Sequence, residues 1–375
     1  MAPTFLLVQD LHGIDAGQWN RLSGDHPLAS HEFLLALEQT GCATPATGWA
    51  PHYLLMYRGA ALDGAMPLYL KSHSRGEYVF DHAWAQAFAR HGMAYYPKLL
   101  SAIPFTPVPG PRLLAGNHAD RVLLARKAIE LTRQNHVSSL HILFASDEDQ
   151  LALAEAGFLF RENVQFHWFN RGYASLEEFL ASLTQQKRKK IKQDRKKSIQ
   201  ANIEFRWLQG DQISRDDLDF FYRCYYKTYM EHGNAPYLNR EFFQQLHATM
   251  GASMVIVLAE RLGAPVAAAL NIRSLTRLYG RYWGSLEFIP GLHFETCYMQ
   301  AIEFCIAHQL DVFEGGAQGE HKLSRGMLPV ATRSAHWIRD ERYAQAISDF
   351  LDHETPAVAA WIDELQDHSP FRKES

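Results

Sequence analysis

The sequence predicts a duplicated α/β unit, and three observations carry that expectation. The chain has 375 residues, about twice a common single-domain length. An order of three apolar strands, a helix and a short buried strand occurs twice. Between the two occurrences lies a helical region with a dense block of positive charge.

The elements follow in order. Residues 5–8 (FLLV) read as a strand. Residues 52–84 give a strand, a turn at Asp63-Gly64, a second strand, a polar break and a third strand, and residues 254–284 repeat that order. Gly64 and Gly263 lie 199 positions apart, as do Trp84 and Trp283. Each hairpin turn thus carries a glycine that tolerates positive φ. A helix follows in each half, near 118–136 and 293–309, and then a short buried strand at 139–144 and 310–313. The first half also carries an insertion with IPFTPVPGPRLL (103–114), whose prolines remove donors and restrict their neighbours, so no regular helix forms there.

Between the repeats, Ser175 with Glu178 makes a capping-box start, and Leu176, Phe179, Leu180 and Leu183 follow at helical spacing. The same helix is expected to run on into residues 187–197. Ser214 with Asp217 starts a second helix bearing Leu218, Phe221, Tyr222, Tyr225 and Tyr229. Asn239 caps a third with Phe242, Phe243 and Leu246. Residues 343–375 read as an amphipathic helix pair before a polar tail. The expected domains are 1–155, 156–340 (with the basic helix at 175–200) and a helical extension at 341–375.

Composition excludes several classes. Hydrophobic residues make up 47% and charged residues 21%, which rules out an intrinsically disordered chain. No apolar run approaches the roughly 20 residues of a membrane-spanning helix. The apolar start lacks the basic flank and long core of a signal peptide, so a cytoplasmic location is expected. Cys42, Cys224, Cys297 and Cys305 form no C-x-x-C pair, which argues against structural zinc and a disulfide framework. The 19 histidines form no H-E-x-x-H motif, so no metal is expected.

Charge is more telling. Residues 187–197 (KRKKIKQDRKK) carry eight basic groups and one acid, a net +7, which leaves −11 for the remainder of a chain whose formal charge is −4. An acidic protein with one concentrated basic block is expected to meet a polyanion at that place, although a solvated helix face would explain the same residues.

Four segments carry a family resemblance: IPFTPVPGPRLL (103–114), GFLFRENVQFHWFNRGYASLEEFLASLTQQKRKKIKQDRK (157–196), LYGRYWGSLEFIPGLHFETCYMQAIEFC (278–305) and FEGGAQGEHKLSRGMLP (313–329). The chain resembles the Fem-like branch of the GNAT acyltransferase superfamily, and within it a bacterial group of N-acyltransferases tied to peptidoglycan biosynthesis or recognition. The resemblance implies two tandem GNAT-like domains, with mixed sheets flanked by helices in a Fem-like arrangement, and acyl transfer to an amine. Acetyl-CoA-dependent members carry a Q/R-x-x-G-x-G/A loop that holds a pyrophosphate at a helix N-terminus. Here the helix at 293 is preceded by SLEFIPGLHFET, without that motif. No permanently bound cofactor is implied. The donor co-substrate is acyl-CoA or, as in Fem-type relatives, aminoacyl-tRNA, whose phosphates would meet Lys187, Arg188, Lys190 and Arg195. The acceptor is a small-molecule or peptide amine. A non-catalytic binder of cell-wall precursor or RNA on a degenerate GNAT fold is the alternative, favoured by the missing loop.

Acyl transfer to an amine needs a neutral amine, alignment with the carbonyl, and donors where the oxyanion forms. The densest polar segment is 314–326 (EGGAQGEHKLSRG), directly after a buried strand. Glu320 or His321 is a candidate general base, and Gln318, Lys322 and Arg325 are candidates for holding substrate. A charged loop with glycine turns explains the same residues. His293, beside Glu295 at a helix start, is a further candidate base. Arg281, Tyr282 and Trp283 lie on a strand, where alternation puts Arg281 and Trp283 on one side and Tyr282 on the other. His167 shares a strand face with Gln165 and is either a polar substrate contact or a satisfied core histidine. Cys297 and Cys305 read as buried small hydrophobes and not as nucleophiles.

Overall fold

A short apolar run forms the first strand, Thr4–Val8 (β1), and the chain folds as two α/β units. The computed structural model describes residues 2–317 and 319–372. One unit comprises the chain up to residue 163 together with 331–360, and the other comprises 164–330 with the segment from 361 on.

The first unit holds β1, β2 (Trp49–Pro51), β3 (Tyr53–Arg58), β4 (Ala61–Met66), β5 (Leu68–Lys71), β6 (Lys98–Ser101), β7 (Leu114–Ala115) and β8 (Ser139–Ile142). Its helices are α1 (Ala16–Ser23), α2 (His31–Gln39), α3 (His82–Arg90), α4 (His118–Gln134) and α5 (Asp147–Glu155). One small sheet runs β1-β3-β4-β7; another series runs β8-β6-β5-β2, in which β6 and β8 pair in parallel. Leu124, Ala125 and Ala128 of α4 pack with Leu140 and Ile142 of β8 to fill the core.

The second unit takes in most of β9 (Leu159–Phe169). There follow α6 (Leu176–Ser182), α7 (Gln185–Gln200), β10 (Ile203–Gln209), α8 (Arg215–Glu231), α9 (Arg240–Met250), β11 (Met254–Arg261), β12 (Ala264–Arg273) and β13 (Arg277–Ser285). A composite helix comes next: α10 (Leu292–Phe294), a π turn (Glu295–Met299) and α11 (Gln300–Ala307). It leads to β14 (Val312–Glu314). The strand order is β10-β11-β12-β13-β14-β9, antiparallel throughout except for the parallel pair β13–β14. The chain leaves through β15 (Leu328–Ile338) and ends in α12 (Glu341–Asp367).

The three caps form, although Glu178 accepts from the Ala174 N–H and not from that of Ser175, so the expected capping box at Ser175 is only half made. The Ser175, Ser214 and Asn239 side chains accept from the N–H groups of Glu178, Asp217 and Phe242. Several other expectations are corrected. The hairpin turn of the first unit lies at Gly59 (φ +64), the counterpart of Gly263 (φ +77), while Gly64 sits inside β4. Trp84 lies on α3 and not on a third strand. The reason is non-local: buried Lys98 binds Glu77 at 2.8 Å and Asp81, and Tyr95 donates to Asp81 at 2.6 Å, so the polar break is tied down as a loop.

Nor does α6 continue into α7. Leu183 and Thr184 are extended (ψ 156 and 150), because Leu183 bridges to Phe371 and the Thr184 N–H donates to the Pro370 carbonyl. The expected C-terminal helix pair is a single helix, α12, with Pro356 inside it. The expected domain limits at 155 and 340 also differ from the structural division, which crosses β9 and β15 mid-strand. Ile347 and Leu351 of α12 pack with Trp84, Phe88 and Ile338 in the first unit. A boundary inside a strand leaves no loop composition to read.

Trp168, in register with Phe313 and T-stacked on Phe179, is fully buried, and its indole N–H has no partner. Trp168→Ala is expected to cost about 3–5 kcal/mol in urea unfolding. Trp168→Phe is expected to cost less than half of that, since it also removes an unsatisfied donor.

Candidate functional site

The site begins where two parallel strands stop pairing. β13 meets β14 only through Arg277, Leu278 and Tyr279 opposite Val312, Phe313 and Glu314, although β13 runs on to Ser285. A bulge marks that point: Leu270 faces Tyr282 and Asn271 faces Gly280, so Arg281 has no opposite residue. The extra residue shifts the alternation. The Arg281 guanidinium lies 5.0 Å from the Tyr282 ring and donates to its hydroxyl at 3.2 Å. Tyr282 packs on Tyr225 and Phe243, whereas Trp283 packs on His293 at 5.0 Å. The expected pairing of Arg281 with Trp283 on one side is therefore not how Arg281 is engaged.

After β14 the chain turns through Gly315 and Gly316 into a 3₁₀ segment, Glu320–Arg325. Gln318 lies outside the described residues. Lys322 folds inward, buried, and its Nζ donates to the Gly316 carbonyl at 2.9 Å. Burial pulls its ammonium down to about 8. Arg325 is buried too, 2.9 Å from Asp194 and 4.4 Å from the Phe294 ring centre. Arg325 thus clamps the segment to α7.

Around Lys322 a ring cluster assembles. His321 is exposed, and its Nε2 shares a hydrogen bond with the Tyr298 hydroxyl at 3.2 Å. Its ring rests over Gly319, where φ is +117 and where a Cβ would collide with the imidazole. His293 lies 5.6 Å from Tyr298, ring to ring, and Phe294 lies 5.6 Å from His321. Burial, then the charge of His321 and Lys322, lowers His293 to about 4. Burial with Lys322 and Arg325 lowers His321 as well. Both imidazoles are therefore neutral at pH 7, while burial raises Tyr298 and keeps its phenol protonated. Glu320 is exposed beside this cluster.

Tyr298 was not legible as a partner of His293. In a regular helix, residues five apart do not share a face. The π turn from Glu295 to Met299 closes i→i+5 and brings the two rings together.

A second polar group forms at the end of β14. Glu314 stands opposite Tyr279 and His167 in register, so the three share one sheet face. Its carboxylate accepts from Arg277 at 2.9 Å, its Oε2 has no hydrogen-bond partner, and His167 Nε2 lies 4.0 Å from that oxygen. Burial raises Glu314 to about 7. His167, 3.3 Å from Gln165, is lowered to about 3 by burial, Arg277 and Lys322. An acid closing a buried strand ahead of paired glycines was the available signal for Glu314.

On α7, Arg188, Lys189, Lys192 and Lys196 line a shallow open groove along one face. Lys187 and Arg188 are half-buried, and Lys190 reaches Asp194 at 3.3 Å. Arg195 is committed elsewhere, to Glu295 at 3.2 Å and Glu303 at 3.3 Å. Burial raises the thiols of Cys297 and Cys305 far from thiolate character, consistent with packing roles. Among the described residues no cluster of three metal-ligating side chains occurs.

Two outcomes follow from this geometry. Asp194→Ala leaves the Arg325 guanidinium buried without its acid and is expected to cost about 3–5 kcal/mol in chemical denaturation. His293 holds its proton less readily when folded than the ordinary value of about 6.5 in the unfolded chain. The unfolded state therefore gains the proton first, and stability is lost as pH falls from about 6.5 to about 4. His293→Gln is expected to flatten that part of a melting-temperature profile.

Comparisons with known proteins agree with this architecture. A family model described as peptidoglycan biosynthesis/recognition matches residues 10–373. FemX superposes with a TM-score of 0.57 at 12% identity, over 93% of this chain and 100% of that one. The C-terminal domain of a putative lysylphosphatidylglycerol synthetase from Agrobacterium fabrum gives 0.55 at 9% identity, over 89% and 95%. L-PGS from Bacillus licheniformis gives 0.52 at 10%, over 81% and 90%. At these identities the likeness is one of fold. No curated protein sequence matches the chain. With two α/β units, the fold of FemX and a family match over nearly its whole length, the chain belongs to the FemAB-like family.

Proposed function

We propose that the second unit transfers an acyl group, an aminoacyl group by preference, to an amine of a peptidoglycan-type precursor by direct attack. The observation that supports this reading is the convergence of two neutral imidazoles, His293 and His321, on the Tyr298 phenol beside the Lys322 ammonium. His321 is the exposed member and serves as base. When its Nε2 donates to the phenol oxygen, Nδ1 is left unprotonated for the incoming amine.

The amine nitrogen forms the new C–N bond and gives its proton to His321. The ester or thioester bond to the donor then breaks, and the leaving oxygen or sulfur takes the proton back. Lys322 supplies positive potential where the oxyanion develops. Tyr298 orients His321, and Trp283 with His293 walls the site. Arg281, Tyr282, His167 and Gln318 remain candidates for contact with the acceptor. The composite helix starts at Gly291-Leu292 without a glycine-rich phosphate loop, which favours tRNA over coenzyme A as carrier. Lys187, Arg188 and Lys190, at the start of α7, would meet its phosphates.

The binder reading keeps the same residues but predicts no turnover. His321→Ala is expected to abolish transfer with the melting temperature nearly unchanged. Tyr298→Phe should lower kcat with little effect on KM. The pH–rate profile checks the base: an acid limb below pH 6.5 is expected of His321, and a profile without one overturns that assignment. For the donor, thermal shift with acetyl-CoA, a longer acyl-CoA, and aminoacylated and bare tRNA is the assay. Stabilisation by tRNA that is lost in Lys187→Gln/Arg188→Gln supports tRNA as the carrier; a response to coenzyme A esters alone overturns that choice of carrier and leaves acyl transfer standing.

A further inference from the structure

Four large apolar side chains stand exposed at one end of the second unit's sheet: Ile199 (70%), Leu262 (88%), Leu286 (36%) and Phe288 (94%). Ile203, which opens β10, is in register with Arg261, so the turn after Ile199 and the β11–β12 turn at Leu262 lie side by side. Arg261 pairs with Glu287 at 2.5 Å, and the Leu286 N–H donates to the Val266 carbonyl at 2.9 Å, which brings the 286–291 loop to the same rim. Gly291 then abuts the α7 backbone at Asp194. Beneath the rim, Ile203, Val266, Ala267 and Leu292 pack with Ile289, so the exposed residues stand on a solid base.

Single exposed apolar residues need no explanation, and Leu275 at the opposite end of the sheet is one. Four converging ones form a patch. Beside it, α7 presents exposed Lys192, Lys196 and Lys197, while the rim acids Glu260 and Glu287 are neutralised by Arg206 and Arg261. Glu204 is also on the rim.

We propose that this rim is a peripheral docking surface for an anionic lipid bilayer. Phe288, Leu262 and Ile199 enter the boundary between headgroups and acyl chains, and Lys192 and Lys196 meet lipid phosphates. Apolar tips beside a basic helix face fit a bilayer, which offers both hydrocarbon and negative charge. A nucleic acid would use the lysines and could stack a base on Phe288, but it would find no role for the aliphatic Ile199, Leu262 and Leu286. The proposal is independent of the acyl-transfer reading, because none of these residues belongs to the His321 cluster.

The test is co-sedimentation of the full chain with phosphatidylcholine vesicles, with and without phosphatidylglycerol, at low and physiological salt. Binding is expected only with phosphatidylglycerol present, weakening as salt rises. Leu262→Ser/Phe288→Ser and Lys192→Gln/Lys196→Gln should each reduce it on the order of tenfold. Unchanged melting temperatures show that these exposed substitutions leave the fold intact. No binding to phosphatidylglycerol vesicles overturns the proposal. Loss in the lysine variant alone also overturns it and marks the helix as a general polyanion site, to be confirmed with bare tRNA.

Discussion

The ion pair between Asp194 and Arg325 is the constraint on which the candidate site depends. It joins the one acid of the basic helix to the end of the segment that carries His321 and Lys322. Both side chains are largely out of water, where a charge pair gains little over an apolar substitute but loses heavily if one partner is removed. Such a pair is better understood as fixing position than as adding stability. Arg325 also covers the Phe294 ring, which packs against His321, so the pair sets the wall of the ring cluster as well.

The two units share a strand plan and differ in what it produces. In each, one parallel strand pair interrupts an otherwise antiparallel series, and in each a neighbouring strand places titratable residues in register at that pair. In the first unit these are His141 and His336, 2.7 Å apart through their Nδ1 atoms and almost fully buried. In the second they are Glu314 and His167, beside a strand that loses its partner and opens toward glycines. The first arrangement is closed; the second leaves an unpaired carboxylate oxygen.

Local signals in the sequence were reliable where the physics is local. Ser175, Ser214 and Asn239 cap their helices because a short polar side chain reaches an N–H three residues on, whatever lies elsewhere. Failures came where distant residues decide. The break at Leu183 needs Pro370 and Phe371, and the loop before Trp84 needs Lys98. At the site, His321, His293, Lys322 and Trp283 were legible as polar or aromatic groups near a strand end, and the structure brings them together. Tyr298 and Asp194 were not, because an irregular helical turn and an ion pair across 131 positions of sequence leave no local pattern. Arg325 and Arg195 read as free cations, yet each is held by acids of the same unit.

The π turn has a consequence for how this helix can vary. Five residues closing i→i+5 amount to one residue more than the regular spiral would hold, a local overfilling of the backbone. Loss of one residue between His293 and Tyr298 would let the helix relax to standard geometry and leave the two four apart, a spacing at which they again share a face. One more residue there without a second wide turn, by contrast, would swing the two rings about 100° apart, so length, and not only identity, governs the His293–Tyr298 contact in this stretch.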